Sequence, residues 1–369
     1  MDFALEETHR EVEKLAGEIL GELAHEDRLR EIAKTPDRFG HTLFRALGQA
    51  GLLGLPLPES EGGAGMSLLE WASVAEAVGR RAAPLPFVAM SVAALALAEG
   101  GSAAQRAHWL PAFFEGRSPL TIALQGLAQA DPSVPAATAY AEGGAWRVTG
   151  AWTSVHAAHV AHAIVVAARD EQGATQLFVV DPNGLGVSRE TQVGTNDELL
   201  TALTLESAPL PESARLPCGG SALLARLLDV ARLGNAATML GCASEALRLT
   251  AAYASTRHQF DVPIGSFQAV QQRAGDAYID VASMRSSLWQ AAWRMATGRP
   301  AARELGIAAF FAADAGHRVL SAAQHIHGGM GFDRDYPLHR SYLLFKQTEF
   351  SLGGASAQLA MLGDLVARP

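Results

Sequence analysis

Two stretches of this chain concentrate residues able to hold a phosphorylated, aromatic ligand. The first is Arg257-His258-Gln259-Phe260-Asp261-Val262-Pro263-Ile264-Gly265-Ser266-Phe267-Gln268-Ala269-Val270-Gln271, and the second is His325-Ile326-His327-Gly328-Gly329-Met330-Gly331-Phe332, followed by Tyr336-Pro337-Leu338. An arginine near a helix end pairs with a diphosphate through charge-assisted, commonly bidentate hydrogen bonds. Phe260 offers an aromatic wall. Gly328-Gly329 lets backbone approach a nucleotide closely because no Cβ intervenes. Taken singly, each also has an ordinary reading: an exposed arginine, a core phenylalanine, a glycine pair closing a helix. Elsewhere, His156, His159 and His162 recur every third residue. That spacing converges on a metal only from a helix, whereas this run leads into the strand-like Ala163–Ala167, so it reads as a polar loop edge. No metal site is assigned, at His325 and His327 included. There is no Gly-x-Ser-x-Gly elbow, and no Gly-x-Gly-x-x-Gly follows a strand.

The elements that must position these residues fall into three zones. Residues 1–117 read as helical: an amphipathic Leu5–Leu23 with Leu15, Ile19, Leu20 and Leu23 on its apolar face, then Arg38–Leu53, a Pro/Gly connector over 55–65, a helix capped by Ser67 with Glu70 completing the box, and helices over Val88–Ala98 and Ala103–Phe114. Residues 118–218 alternate β-type runs (Leu120–Leu124, Trp146–Thr149, Ala163–Ala167, Gln176–Val180, Leu199–Leu205) with turn sequences, as a small β domain would. Residues 219–369 return to helical period over Ala222–Ser255, Ser266–Gly298, Ala301–Ile326 and Tyr336–Leu365, a bundle of four. The fold class is therefore α+β, in the order α, β, α.

Composition narrows the function. The chain has 369 residues with 49% apolar and 18% charged, enough for several cores. Its net charge of −9 argues against a nucleic-acid binder. The longest apolar runs, such as Phe87–Ala98, are shorter than the roughly 20 residues of a membrane span. Met1–Glu22 carries acids and bases at helical spacing, unlike a signal peptide. Cys218 and Cys242 form neither a metal pair nor a disulfide framework, which suits reduced thiols in the cytoplasm.

The two motifs resemble those of the acyl-CoA dehydrogenase family. Gly51-Leu52-Leu53-Gly54-Leu55-Pro56, Glu61-Gly62-Gly63-Ala64-Gly65 and the domain order extend the resemblance over the whole chain. It implies FAD as cofactor, with Arg257, Gln259, Phe260, Phe267, Gln268, His325, Ile326, His327, Gly328 and Gly329 as its contacts. In the family these residues reach across a dimer interface to the ADP half of the FAD whose ring sits in the neighbouring subunit. His325 stands where the family has Gln and can still donate one hydrogen bond.

The resemblance breaks at the chemistry. The family removes the α-proton of an acyl-CoA with a glutamate while hydride leaves the β-carbon for the flavin. The two known positions for that glutamate correspond to Leu352, in Ser351-Leu352-Gly353-Gly354, and Ala231, in Asp229-Val230-Ala231-Arg232-Leu233. Neither side chain accepts a proton. The flavin-lining Thr-Glu-Pro strand corresponds to Ala123-Leu124-Gln125-Gly126-Leu127-Ala128-Gln129-Ala130-Asp131, which lacks Glu-Pro. The Gly-x-Lys-x-Trp-Ile-Thr strand corresponds to Gly150-Ala151-Trp152-Thr153-Ser154-Val155-His156, with Ser154 in place of the aromatic. Glu349 is the weak candidate for a displaced base. Asp229 lies about 200° of helix rotation from position 231 and faces away.

Three readings follow. In the leading one the chain is the non-catalytic partner of a second acyl-CoA dehydrogenase subunit in an α2β2 heterotetramer. It would complete the FAD site while the other chain carries base and flavin pocket. Such enzymes handle bulky acyl-CoA substrates, steroid side-chain thioesters among them, and pass electrons to electron-transfer flavoprotein. The second is an active homo-oligomer using Glu349. The third is a non-enzymatic acyl-CoA-binding scaffold. Apolar segments such as Ile307–Phe311 and Leu343–Phe345 favour assembly as a dimer of dimers.

Overall fold

The computed structural model describes residues 7–124, 126 and 131–367. In chain order its helices are α1 (Glu7–Leu23), α2 (Glu26–Ile32), α3 (His41–Gln49), α4 (Leu68–Arg81), α5 (Phe87–Gly100) and α6 (Ala103–Phe114). Strands β1 (Leu120–Ala123), β2 (Thr138–Glu142), β3 (Ala145–His156), β4 (Ala163–Arg169), β5 (Thr175–Val180), β6 (Val187–Val193) and β7 (Leu199–Pro211) follow. Then come α7 (Ser221–Thr256), a ribbon of β8 (His258–Gln259) and β9 (Val262–Pro263), α8 (Gln268–Ala296), α9 (Ala302–His327), α10 (Leu338–Ser351) and α11 (Gly354–Ala367). By compactness the chain forms two units, one of residues 1–29, 68–83 and 232–369, the other of 30–67 and 84–231.

Within the second unit lies one seven-stranded sheet in the order β1-β4-β2-β3-β7-β6, with β5 paired to β4. β1 runs parallel to β4, and the long pairings of β3, β7 and β6 are antiparallel. Val148, Trp152, Ile164, Val166, Phe178, Leu203 and Leu205 fill its core. The apolar run Phe87–Ala98 is the buried helix α5, which packs against β1. α6 starts at a complete capping box, Ser102 with Gln105, as such a sequence should. The Gln105 amide then ties this helix to the sheet's end by donating to the carbonyls of Ser213 and Arg215 at 2.8 and 3.2 Å.

In the first unit, α8, α9 and α11 pack side by side, and α4 packs against α1, α8 and α10. α4 crosses α7 where Gly79 meets Thr238 and Gly241 meets Glu76, backbone against backbone. Glu76 is buried there and neutralised by Arg80 at 2.7 Å and Arg285 at 3.0 Å.

Several expectations need correction. The inward face of α1, packed against α4, is His9, Val12, Ala16 and Leu20, and Leu15 is 39% exposed. The segment Tyr336–Leu365 is two helices, since Gly353 and Gly354 both take positive φ (78° and 72°), which a continuing helix does not allow. α2, β2 and β6 were not expected. Of the apolar segments assigned to an interface, Ala308, Ala309 and Phe345 are buried within the chain. The exposed apolar residues of the first unit are others, among them Tyr278, Ile279, Phe350, Leu359 and Val366. Among the described residues no helix is long and apolar enough to cross a membrane.

Candidate functional site

The end of α7 and the end of α9 each deliver one of the two motifs. After Thr256 the chain turns into the β8–β9 ribbon, with Gln259 opposite Val262. The two-residue loop between them, Phe260-Asp261, has φ of 53° and 64°, the primed geometry whose twist suits a tight hairpin. Phe260 is thereby thrust outward, 88% exposed, touching Phe267 only edge-on at 6.3 Å. The Arg257 backbone is fixed at both ends: its N–H donates to Tyr253 O and its carbonyl accepts from Ile264 N–H, each at 2.8 Å. Its guanidinium is exposed and has no ion-pair or hydrogen-bond partner among the described residues. Gln259 and Gln268 are exposed, and Phe267 caps the start of α8.

α9 ends at His327. Gly328 closes it with φ 58° and ψ −132°, a conformation for glycine alone. Gly328 and Gly329 are exposed, and a Cβ on either would meet nothing within 4 Å. His325 is exposed at one end of a groove of about 640 Å³ between α8 and α9, which Arg273, Asp280 and Arg318 also line. Arg318 is already engaged by Asp280 and Asp314. Ile326 is half-buried.

His327 departs from its expected role. Its ring is 3% exposed, and both nitrogens are taken. Nδ1 donates to Ala323 O at 2.8 Å, and Nε2 accepts from the Tyr336 hydroxyl at 3.0 Å. Burial lowers its affinity for a proton, which keeps the ring neutral. The side chain is thus turned away from any ligand, and only its backbone faces the glycine pair.

The second unit holds the stretch matched to the flavin wall. β3 bulges between Trp152 and Val155. Trp152 is 4% exposed and belongs to the sheet core, so its indole is not available as a surface. Ser154 is exposed, at φ 56°, its N–H donating to Gln192 at 3.1 Å. His156 meets Glu198 at 2.8 Å. Burial alone would push the imidazole's pKa down and the carboxyl's up. The mutual charge and hydrogen bond outweigh it, raising His156 and lowering Glu198. His159 donates to Asp37 O at 2.8 Å, and His162 points to solvent, so the three histidines do not converge. Among the described residues no group of three metal-ligating side chains forms. Gln125 and Leu127, Ala128, Gln129 and Ala130 of the Thr-Glu-Pro counterpart lie outside the described residues.

At the two expected base positions stand the half-buried Ala231 and Leu352. Leu352 caps α10, and its carbonyl accepts from the buried Gln358. Glu349 is held one turn back by Lys346 at 2.6 Å, and Lys346 also donates to His317 at 2.6 Å. Neither the Lys346 bridge nor the His156–Glu198 pair was foreseen. Cys218 is exposed, and Cys242 is buried with its thiol pKa pushed up by desolvation.

Comparison with known proteins assigns the class. Residues 6–117 match the N-terminal domain of acyl-CoA dehydrogenases, and 219–366 match their C-terminal domain. The chain belongs to the acyl-CoA dehydrogenase family, oxidoreductases that act on CH–CH bonds. It is 39% identical, over 98% of both chains, to acyl-CoA dehydrogenase FadE27 of Mycobacterium tuberculosis (strain ATCC 25618 / H37Rv). A chain of the ChsE4–ChsE5 complex from Mycobacterium tuberculosis superposes over 100% of both chains with TM-score 0.94 and 38% identity. A chain of the Tcur3481–Tcur3483 steroid ACAD matches over 98% of both with TM-score 0.91 and 41% identity.

Members of this family work with FAD. A free guanidinium, an exposed aromatic tip and an open glycine backbone fit its ADP half. At the positions matched to the flavin wall, Trp152 is buried in the sheet core and Ser154 carries no aromatic surface.

Proposed function

We propose that this chain is the FAD-completing partner subunit of a two-component acyl-CoA dehydrogenase, an α2β2 assembly in which the other chain supplies base and flavin pocket. The observation that carries the reading is a contrast. Arg257, Phe260 and Gly328-Gly329 form an outward-facing set whose charge has no partner among the described residues, whereas Ala231 and Leu352 leave both base positions without a titratable group. Arg257 would pair with the diphosphate, Phe260 would cover an aromatic or ribose face, and Gly328-Gly329 would admit the backbone at close range. Gln259, Phe267, Gln268, His325 and Ile326 would complete the contact. When bound, FAD supplies the hydride acceptor for the acyl β-carbon. Segments 1–117, 118–218 and 219–369 are the parts of this subunit.

The likeness to chains of the ChsE4–ChsE5 complex and of the Tcur3481–Tcur3483 steroid ACAD supports a heteromeric assembly and a bulky, steroid-bearing acyl-CoA as substrate. Electron-transfer flavoprotein is the proposed acceptor, and the cytoplasm the proposed compartment. The engagement of Glu349 by Lys346 disfavours the displaced-base alternative.

The test is a visible absorption spectrum of the chain purified alone and again after co-expression with its genomic neighbour. The reading expects a colourless protein that turns yellow with its partner. A chain that is yellow alone and bleached by an acyl-CoA overturns it.

A further inference from the structure

The two cofactor motifs are far apart in sequence, and each hangs from the end of a helix. A hairpin and a glycine loop anchored only at their roots do not hold two ligand groups at one spacing; supporting side chains must do so. Three rings meet where the two roots approach. Tyr253, in the last turns of α7, stacks on His327 with centroids 4.5 Å apart and planes at 24°. Tyr253 also accepts the Arg257 N–H on its carbonyl, so one residue serves both the Arg257 backbone and the stack. His327 directly precedes Gly328, and Tyr336 lies beyond the Gly328–Phe332 turn. The Tyr336 hydroxyl bond to His327 Nε2 therefore staples the glycine loop shut at its base. Tyr336 meets the His327 ring at 5.0 Å and the Tyr253 ring at 6.2 Å.

The hydrogen-bond directions are fixed by chemistry. The Ala323 carbonyl cannot donate, so Nδ1 carries the proton and Nε2 is the acceptor, which makes Tyr336 the donor. Burial keeps the imidazole neutral and the phenol protonated. The charged groups that bear on Tyr336 are Arg248 and Glu245 of α7, and these pair with each other at 2.6 Å.

We infer that Tyr253, His327 and Tyr336 are positioning residues that lock the Arg257 hairpin and the Gly328-Gly329 loop into one preformed cradle for a dinucleotide diphosphate. The inference rests on the cofactor reading above and adds the device that makes it rigid. None of the three side chains touches the ligand; they act through the backbone of residues 257 and 328.

The experiment measures FAD dissociation constants for the co-expressed assembly by flavin fluorescence, beside the melting temperature of the same assembly stripped of FAD. Tyr336→Phe removes one hydroxyl and keeps the ring. It is expected to weaken FAD about fivefold to tenfold, the scale of one lost buried hydrogen bond, while costing the FAD-free assembly less stability than it costs FAD affinity. His327→Leu is expected to weaken FAD at least as much. His327→Gln, whose amide can still accept from Tyr336, is expected to recover most of the affinity. If Arg257→Ala weakens FAD while Tyr336→Phe and His327→Leu bind it as the unmodified assembly does, the positioning role is overturned and the cofactor reading survives. If Arg257→Ala itself leaves binding unchanged, the cofactor reading falls. A loss of affinity in Tyr336→Phe matched by an equal loss of FAD-free stability reduces the stack to ordinary core packing and overturns the inference.

Discussion

His156 Nδ1 lies 2.8 Å from Glu198 Oε1, joining the end of β3 to the start of β7 where the strand ladder is interrupted by a bulge. The imidazolium pKa is raised above 6.5 and the carboxylate pKa lowered below 4.5, each against the cost of burial. The histidine contribution is complete below the unfolded imidazole value and lost as pH rises through the raised one. The glutamate contribution is complete above the unfolded carboxyl value and lost as pH falls through the lowered one. Both are therefore complete between pH 4.5 and 6.5.

Glu198→Gln should destabilise the protein by about 2 kcal/mol within that window, and by less above and below it. With the charge gone, burial alone acts on His156, and its pKa should fall below the ordinary imidazole value. Urea unfolding across pH and an NMR titration of the His156 ring check both. A ring that titrates as before would remove the electrostatic account.

Arg257→Ala should leave folding untouched, within about 0.5 kcal/mol, because the guanidinium has no partner among the described residues to lose. In the assembled complex it should cost FAD affinity by roughly tenfold or more, as the loss of a charge-assisted bond does. The ratio of flavin absorbance to protein, with urea unfolding of the same sample, reads both sides.

Gly241→Ala should destabilise the first unit by about 1–3 kcal/mol, since overpacking a closed contact forces backbone to move. The new methyl would sit 2.0 Å from the Glu76 carbonyl oxygen, which no side-chain rotation relieves. A lowered denaturation midpoint checks this; an unchanged one would mean that α4 and α7 have slack.

Glu349→Gln should leave turnover of the assembled enzyme unchanged, because the carboxylate is bound to Lys346 and the proposed base belongs to the other subunit. A loss of turnover of about a hundredfold or more, the range for removing a general base, would restore Glu349 as a catalytic candidate.

Much of the architecture was legible because apolar period announces buried elements. α6 begins and ends where its pattern does, and all five expected strands start within one residue of their observed starts. Elements with little burial stayed hidden. Val187–Val193 has no buried residue, and Thr138–Glu142 has one, Ala139, so neither carries an apolar signature. On α1 the apolar period picked out Leu20 but missed His9, Val12 and Ala16, since a histidine and an alanine carry little apolar signal. The resemblance implies His327 as a ligand contact; only the partners of both its nitrogens reveal that its side chain faces inward. His156 and Glu198 are brought together by sheet register, which no local spacing encodes.

The polarity that concealed β6 has a use of its own. The strand ends the sheet beside β7, with no further strand beyond it among the described residues. Its run Ser188-Arg189-Glu190-Thr191-Gln192 places charge along a rim of backbone groups that would otherwise template another chain. A greasier strand here would have been easier to find and an invitation to polymerise. The charge at that border works against such pairing at the cost of a weaker apolar signature.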